Sequence, residues 1–146
     1  MNDATPTILE QEVLEMLLAG NNAQLEVLRY QLTKAHISNR EFTGVGFITN
    51  FDVPSKAARL SKRERRTIRD VSASIQGIAQ GAGFVLFVDD GVLNCLEGFA
   101  YGEELWPDKV ERFELTYLEE IPPRSGHLLP VPVRDEAFGL KELTKA

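Results

Sequence analysis

The sequence has one cysteine and two histidines among 146 residues, and this scarcity excludes several kinds of site. A single Cys95 cannot form an internal disulfide, so a reducing compartment suits the chain. His36 and His127 are far apart, and neither stands at metal-ligand spacing from Cys95 or from the other histidine. We therefore expect no metal site and no cofactor.

Catalytic and membrane motifs are also missing. There is no G-x-S-x-G nucleophile elbow, and the glycines of 77–83 precede a predicted strand instead of joining a strand to a helix, as a phosphate-binding loop does. No apolar run approaches the roughly 20 residues of a membrane span, and the acidic start lacks the basic region of a signal peptide. We expect a soluble, cytoplasmic protein without catalytic residues.

What the sequence does contain is the composition of one globular domain, with 43% hydrophobic and 26% charged residues. Two segments in 1–40 show the apolar spacing of amphipathic helices. The first stripe consists of Leu9, Val13, Met16 and Leu17, and the second of Leu25, Leu28, Leu32 and Ala35. A pair of antiparallel helices is predicted for this region.

From residue 41 the apolar period changes to two, which is typical of strands. Strands are predicted in 42–51, 83–88 and 110–118, and in 71–75, where a helix is the alternative. Asp90-Gly91 indicates a two-residue hairpin turn, which would place Leu86 opposite Cys95 and Phe84 opposite Glu97. A three-residue loop with a bulge would shift these pairs.

These elements predict an α+β fold that spans residues 1–146 as a single domain. The helical pair (1–40) would cover one face of a mostly antiparallel, meander-like sheet of about four to five strands (41–118). Four prolines between residues 122 and 132 exclude a helix and favour an extended, Pro-rich C-terminal arm (119–146).

Glu97 is the carboxylate with the most unusual sequence environment. Its neighbours two positions away along the strand are Cys95 and Phe99, so it shares an apolar face on which an ionised acid needs a partner. With Tyr101 it would line a pocket between the helices and the sheet. The alternative is a Glu97 that is paired with a basic residue or exposed at a sheet edge.

A second candidate surface combines acids with an aromatic side chain, which is a common composition of protein interfaces. Asp89 and Asp90 are expected at the hairpin tip, and the rest follow the next strand. The surface consists of Asp89, Asp90, Glu103, Glu104, Trp106 and Asp108. Trp106 could instead fold back over the edge of the sheet.

The basic residues are concentrated in one stretch, 56–69, which holds seven of the 16 Lys and Arg and one acid. The stretch carries +6 and the rest of the chain −12. The patch consists of Lys56, Arg59, Lys62, Arg63, Arg65, Arg66 and Arg69. It could be a solvated linker, contact an acidic partner or another subunit, or bind nucleic acid, although it has no aromatic residue to stack on bases.

Together these features predict a small protein-interaction module, of the kind that an acidic inhibitor or immunity protein represents, rather than an enzyme. Another protein is the expected partner, and self-association is a further possibility. Two alternatives remain open. One is a small-molecule-binding protein or enzyme with a pocket at Glu97, and the other is nucleic-acid contact through the basic stretch.

Overall fold

The computed structural model describes residues 5–145, an α+β fold of four helices and one antiparallel sheet of eight strands. The helices are α1 (Ile8–Leu17), α2 (Ala23–Lys34), α3 (Glu136–Gly139) and α4 (Lys141–Thr144). The strands are β1 (His36–Phe42), β2 (Gly46–Asp52), β3 (Arg66–Ile68), β4 (Val71–Ile75), β5 (Ile78–Asp89), β6 (Val92–Ala100), β7 (Phe113–Glu120) and β8 (Leu128–Val131). A short 3-10 turn, Tyr101–Glu103, follows β6.

The two predicted N-terminal helices are present, and side-chain caps define where they begin. Thr7 and Glu10 form a reciprocal capping box at the start of α1. The Asn22 side chain accepts hydrogen bonds from the backbone amides two and three residues later, at the start of α2. Ala35 is already extended, so β1 begins at His36, inside the segment that was assigned to the helical pair.

The sheet is open, and its strands lie in the order β1-β2-β6-β5-β4-β7-β8, with β3 also paired to β5. All pairs are antiparallel, and 71–75 is a strand. The predicted number of four to five strands was too low, because three strands carry a weak alternation signal. The register of β1 shifts between residues 37 and 39, β3 has three residues, and β8 contains a proline.

The Asp90-Gly91 turn forms as predicted, but the register beyond it differs. Both turn residues have positive φ, 54° and 76°, as a type I′ turn requires. Asp89 pairs with Val92 and residue 88 with residue 93, and then a bulge shifts the ladder. Cys95 therefore lies opposite Phe87, and Glu97 opposite residue 85, not opposite residues 86 and 84. The one-residue slip moves Glu97 away from the core residue Phe84.

The core lies on one side of the sheet, where the helices pack. The apolar residues of α1 and α2 join alternate strand residues in one buried cluster, together with Leu140 and Leu143 from the C-terminal helices. Its strand members include Phe47, Ile68, Val71, Phe84, Leu86 and Leu96. Val85 and Cys95 are also buried, at 7% exposure each, but they lie outside this cluster on the opposite side of the sheet.

The C-terminal segment is not a continuous extended arm. After β7 the chain reverses and β8 pairs with β7, and beyond Pro132 the chain forms α3 and α4. The Asp135 side chain caps the start of α3 by accepting from the backbone amides of residues 137 and 138. The prolines exclude a helix only where they stand, and the last of them precedes α3. Arg134 attaches the segment to the core, because it forms a two-bond ion pair with Asp70, at 2.9 Å in each bond.

Candidate functional site

The side of the sheet that faces away from the helices is a surface of strand side chains, which we call the open face. Its central residues are Ile48, Val85, Phe87, Cys95, Glu97 and Phe99. Direct cross-strand pairing puts Ile48, Glu97 and Val85 in one row. Cys95 and Phe87 lie in the row on one side, and Phe99 lies in the row on the other. The helices of the described residues pack on the opposite side of the sheet. On the open face Val85 and Cys95 are buried, and the other central residues are partly exposed.

Glu97 stands at the centre of the open face. Its cross-strand neighbours are Ile48 and Val85, and its neighbours along β6 on the same face are Cys95 and Phe99. The side chain is partly buried. Within residues 5–145 its carboxylate accepts no hydrogen bond and forms no ion pair. An ionised acid among apolar side chains has lost part of its hydration, and here no protein group replaces it.

An aromatic pair borders Glu97 on the open face. The rings of Phe99 and Tyr101 meet edge to face, with centroids 5.7 Å apart. They lie over Gly83, where an added Cβ would stand 2.8 Å from the Tyr101 hydroxyl and 2.9 Å from the Phe99 ring. That hydroxyl donates to Ser72 Oγ at 3.3 Å. Glycine at position 83 therefore leaves room for both rings to pack against the sheet beside Glu97.

The charges that the strands bring to the open face are negative. Register and alternation place the carboxylates of Glu41, Asp89, Glu97 and Glu114 there. In the part of the chain that the structure describes, Arg40 and Arg66 are the only lysine or arginine residues within strands. Both lie on the helix side, where Arg40 binds Glu10 of α1, and Arg66 binds the backbone of α4.

The Cys95 thiol reports on this electrostatic environment. Burial raises its pKa above the ordinary value, and the carboxylates of Glu97, Asp89 and Glu41 raise the pKa further. Only Arg65 acts in the opposite direction. Its guanidinium lies over the Phe87 ring, 4.5 Å from the centroid, at the margin of the face. A raised pKa disfavours the thiolate, which is the form of cysteine that acts as a nucleophile.

Asp89 and Asp90 lie at the tip of the β5–β6 hairpin, next to the basic stretch. Arg59 and Arg63 bind the Asp90 carboxylate at 2.8 and 3.4 Å, and Arg65 Nε lies 3.8 Å from Asp89 Oδ2. The two carboxylates of the tip thus pair with three arginines of the basic stretch within one chain. These are exposed ion pairs, which contribute little to stability.

Other members of the basic patch also have structural partners. Arg66 is buried, with 3% exposure, and it donates to the backbone carbonyls of Glu142 and Lys145 at 2.7 and 3.0 Å. Lys62 donates to that same Lys145 carbonyl. These contacts hold the end of α4 against β3. Lys56 and Arg69 are exposed.

The rest of the acidic surface lies at the far end of β6. Nine residues of strand, about 30 Å at 3.3 Å per residue, separate the Asp89 and Asp90 tip from Glu103, Glu104, Trp106 and Asp108. Glu104 accepts backbone hydrogen bonds from residues 79 and 80, which lower the pKa of its carboxyl. Trp106 packs edge-on against the core residue Phe47, with ring centroids 5.4 Å apart.

Five clefts in the described residues have linings that do not include Glu97. One of about 290 Å³ lies beside Trp106, between the start of α1 and the β1–β2 hairpin. The Glu10 carboxylate in its wall is fully engaged by Arg40, Thr49 and Thr7. The structure thus brings Glu97 and Tyr101 to one face of the sheet, on the side away from the helices.

Among residues 5–145 there is no cluster of His, Cys, Asp and Glu that could hold a metal ion. No helix of the described chain is long and apolar enough to cross a membrane. Comparison with protein-family models, with curated proteins and with solved structures finds no match. The function is therefore inferred from the geometry of the site.

Sequence reasoning missed the open-face residues Ile48, Val85 and Phe87. It also missed the aromatic contact that Phe99 makes with Tyr101. The alternation of Cys95, Glu97 and Phe99 was visible in the sequence and correctly indicated an apolar face. Their cross-strand neighbours depend on the bulge after residue 93, which has no clear signature in the sequence.

Proposed function

We propose that this chain is a cytoplasmic, non-enzymatic protein-interaction module that binds another protein through the open face. The observation that carries the proposal is a sheet surface on which no described helix packs, with partly exposed apolar and aromatic side chains around an unpaired carboxylate. Contiguous exposed apolar surface rimmed by polar groups is typical of interaction sites. Aromatic residues such as Phe99 and Tyr101 are enriched in such interfaces.

The distribution of polar contacts supports binding over catalysis. A catalytic carboxylate works with a second group within hydrogen-bond reach, which orients it or exchanges a proton with it. The direct cross-strand and same-strand neighbours of Glu97 are apolar, and the raised pKa of Cys95 disfavours its thiolate. A flat surface of this kind suits contact with another macromolecule better than it suits enclosure of a small substrate.

The internal contacts of the basic stretch support a protein partner over nucleic acid. Arg59, Arg63 and Arg65 lie beside Asp89 or Asp90, and Arg66 is buried against α4. A nucleic-acid site needs several cations free to neutralise phosphates. The strands of the open face carry carboxylates instead, which repel a phosphate backbone.

The proposal is tested by quantitative affinity capture from a lysate of the source cells, with wild-type protein and two serine variants as bait. Phe99→Ser changes the open face, and Phe42→Ser changes another exposed phenylalanine, 73% exposed, at the β1–β2 hairpin. We expect wild type and Phe42→Ser to capture the same partner and Phe99→Ser to lose it. Circular dichroism should show that all three proteins are folded. Equal capture by all three, or no capture, would overturn the open face as the binding site.

A further inference from the structure

We infer that the partner of the open face is cationic, and that it presents a lysine or arginine, flanked by apolar side chains, to the Glu97 carboxylate. This inference rests on the proposed function and names the chemistry of the partner. Its first support is the environment of Glu97. Any protein that covers Ile48, Val85 and Phe99 also removes water from that carboxylate. Desolvation without a counter-charge is costly, so a stable complex needs a cation at this point.

The charge of the surrounding surface supports the same partner. Glu41 lies in the same cross-strand row as Glu97, two strands away, and Glu114 lies on the same face three strands from Glu97. Asp89, on the adjacent strand, is paired with Arg65 at the margin of the face. No lysine or arginine lies in any open-face strand position of residues 5–145. A basic partner is therefore steered toward this side of the molecule and an acidic one repelled.

The apolar residues around Glu97 determine how a cation would be held. An arginine or lysine can lay its aliphatic stem on Val85 and Ile48 while its charged end reaches the carboxylate. The Phe99 and Tyr101 rings stand beside this position and can contact the stem or the charge. Such a ring of apolar contacts around one charge pair excludes water, which is the arrangement of an interface hot spot.

A second copy of this chain fits the open face less well. A symmetric dimer through this face would bring the carboxylates of residues 41, 97 and 114 of the two copies toward one another. Their repulsion is not relieved by strand cations, because Arg40 and Arg66 lie on the opposite side of the sheet. Self-association is accordingly an outcome that the experiment must distinguish.

The experiment uses three labelled heptapeptides of alternating sequence, Leu–Lys, Leu–Ser and Leu–Glu, titrated into the full-length protein. Binding is followed by fluorescence anisotropy and by amide chemical shifts of ¹⁵N-labelled protein. We expect the Leu–Lys peptide to shift amides of residues 48, 85 and 97. Its affinity should exceed that of the Leu–Ser peptide about ten-fold, as one charge-assisted contact predicts.

Two variants separate the specific contact from general attraction to an acidic protein. Glu97→Gln keeps the shape of the side chain and should weaken Leu–Lys binding about ten-fold. Glu12→Gln removes an exposed charge on α1, on the helix side, and should leave the affinity unchanged.

If the Leu–Ser peptide binds as tightly as the Leu–Lys peptide, or if Glu97→Gln binds the Leu–Lys peptide as tightly as wild type does, the inference of a cationic partner is wrong. The capture experiment with the serine variants decides separately whether the open face binds protein. Shifts confined to the helix side would also overturn the inference of a cationic partner. So would a sedimentation result in which wild type dimerises and Phe99→Ser does not.

Discussion

The two sides of the sheet differ in whether their buried or partly buried carboxylates have partners within the chain. On the helix side, Glu10 is satisfied by Arg40, Thr49 and Thr7, and Asp70 is satisfied by two bonds from Arg134. On the open face, Glu97 has no such contact within residues 5–145. The comparison sets two carboxylates that the folded chain pairs fully against one that, under the proposed function, only a partner protein would pair.

The two sides of the sheet also differ in whether a polar side chain connects distant parts of the chain. Arg134 binds Asp70, donates to the carbonyls of Leu17 and Ala19 at the end of α1, and lies over the Tyr117 ring. This single side chain connects the C-terminal segment, the sheet and the first helix. No residue of the open face serves a comparable role in the described chain, so changes there should affect binding more than folding.

The largest expected contrast between the two faces is in the cost of removing a phenylalanine. Phe84 is 1% exposed in the core, and Phe84→Ala should lower the free energy of unfolding by about 4 kcal/mol because it leaves a cavity. Phe99→Ala on the open face should cost about 1 kcal/mol or less. Urea unfolding followed by circular dichroism measures both values. Similar losses would show that the open face is part of the core.

The next contrast compares two glutamates. Glu10→Leu should cost about 3 kcal/mol, because it removes the buried carboxylate to which the Arg40 guanidinium and the Thr49 hydroxyl donate. Glu97→Leu should instead stabilise the isolated chain by about 0.5 kcal/mol, because it replaces an unpaired acid among apolar neighbours. Thermal and urea unfolding test the signs. A destabilised Glu97→Leu variant would mean that the carboxylate has a structural role.

The smallest expected effect is on the reactivity of Cys95. Because burial and nearby carboxylates raise its pKa, alkylation by iodoacetamide at pH 8 should be slower than for an unfolded control peptide. Glu97→Gln removes one of those charges, lowers the thiol pKa and should accelerate alkylation roughly two-fold. The pH profile of the rate gives the thiol pKa directly. Glu12→Gln is the control, and an equal acceleration there would contradict a local effect of Glu97.

Much of the fold followed from local patterns. The capped N-terminal helices and the Asp90-Gly91 turn were predictable because their signals lie within a few residues of one another. The strand register of Glu97 could not be predicted in this way, because the bulge after residue 93 depends on how β6 pairs with β5. The ion pair between residues 70 and 134 joins segments 64 positions apart, which spacing alone does not bring together.

The candidate site shows the same division. The alternation of Cys95, Glu97 and Phe99 indicated an apolar face with one acid. Which side of the sheet that face occupies was decided by the positions of the helices. The acidic residues at the ends of β6 looked like one surface only because they are close in the sequence.

By itself, the sequence determined the α+β class, the paired helices, the hairpin turn and the apolar environment of Glu97, since periodicity and turn chemistry act over short distances. The tertiary structure decided that the basic stretch is engaged by Asp89, Asp90 and α4, and that Glu97 lies outside the core. Both depend on strand register and on contacts between remote segments. A one-residue shift in pairing sends a side chain to the other face of a sheet, and that shift makes Glu97 a surface residue.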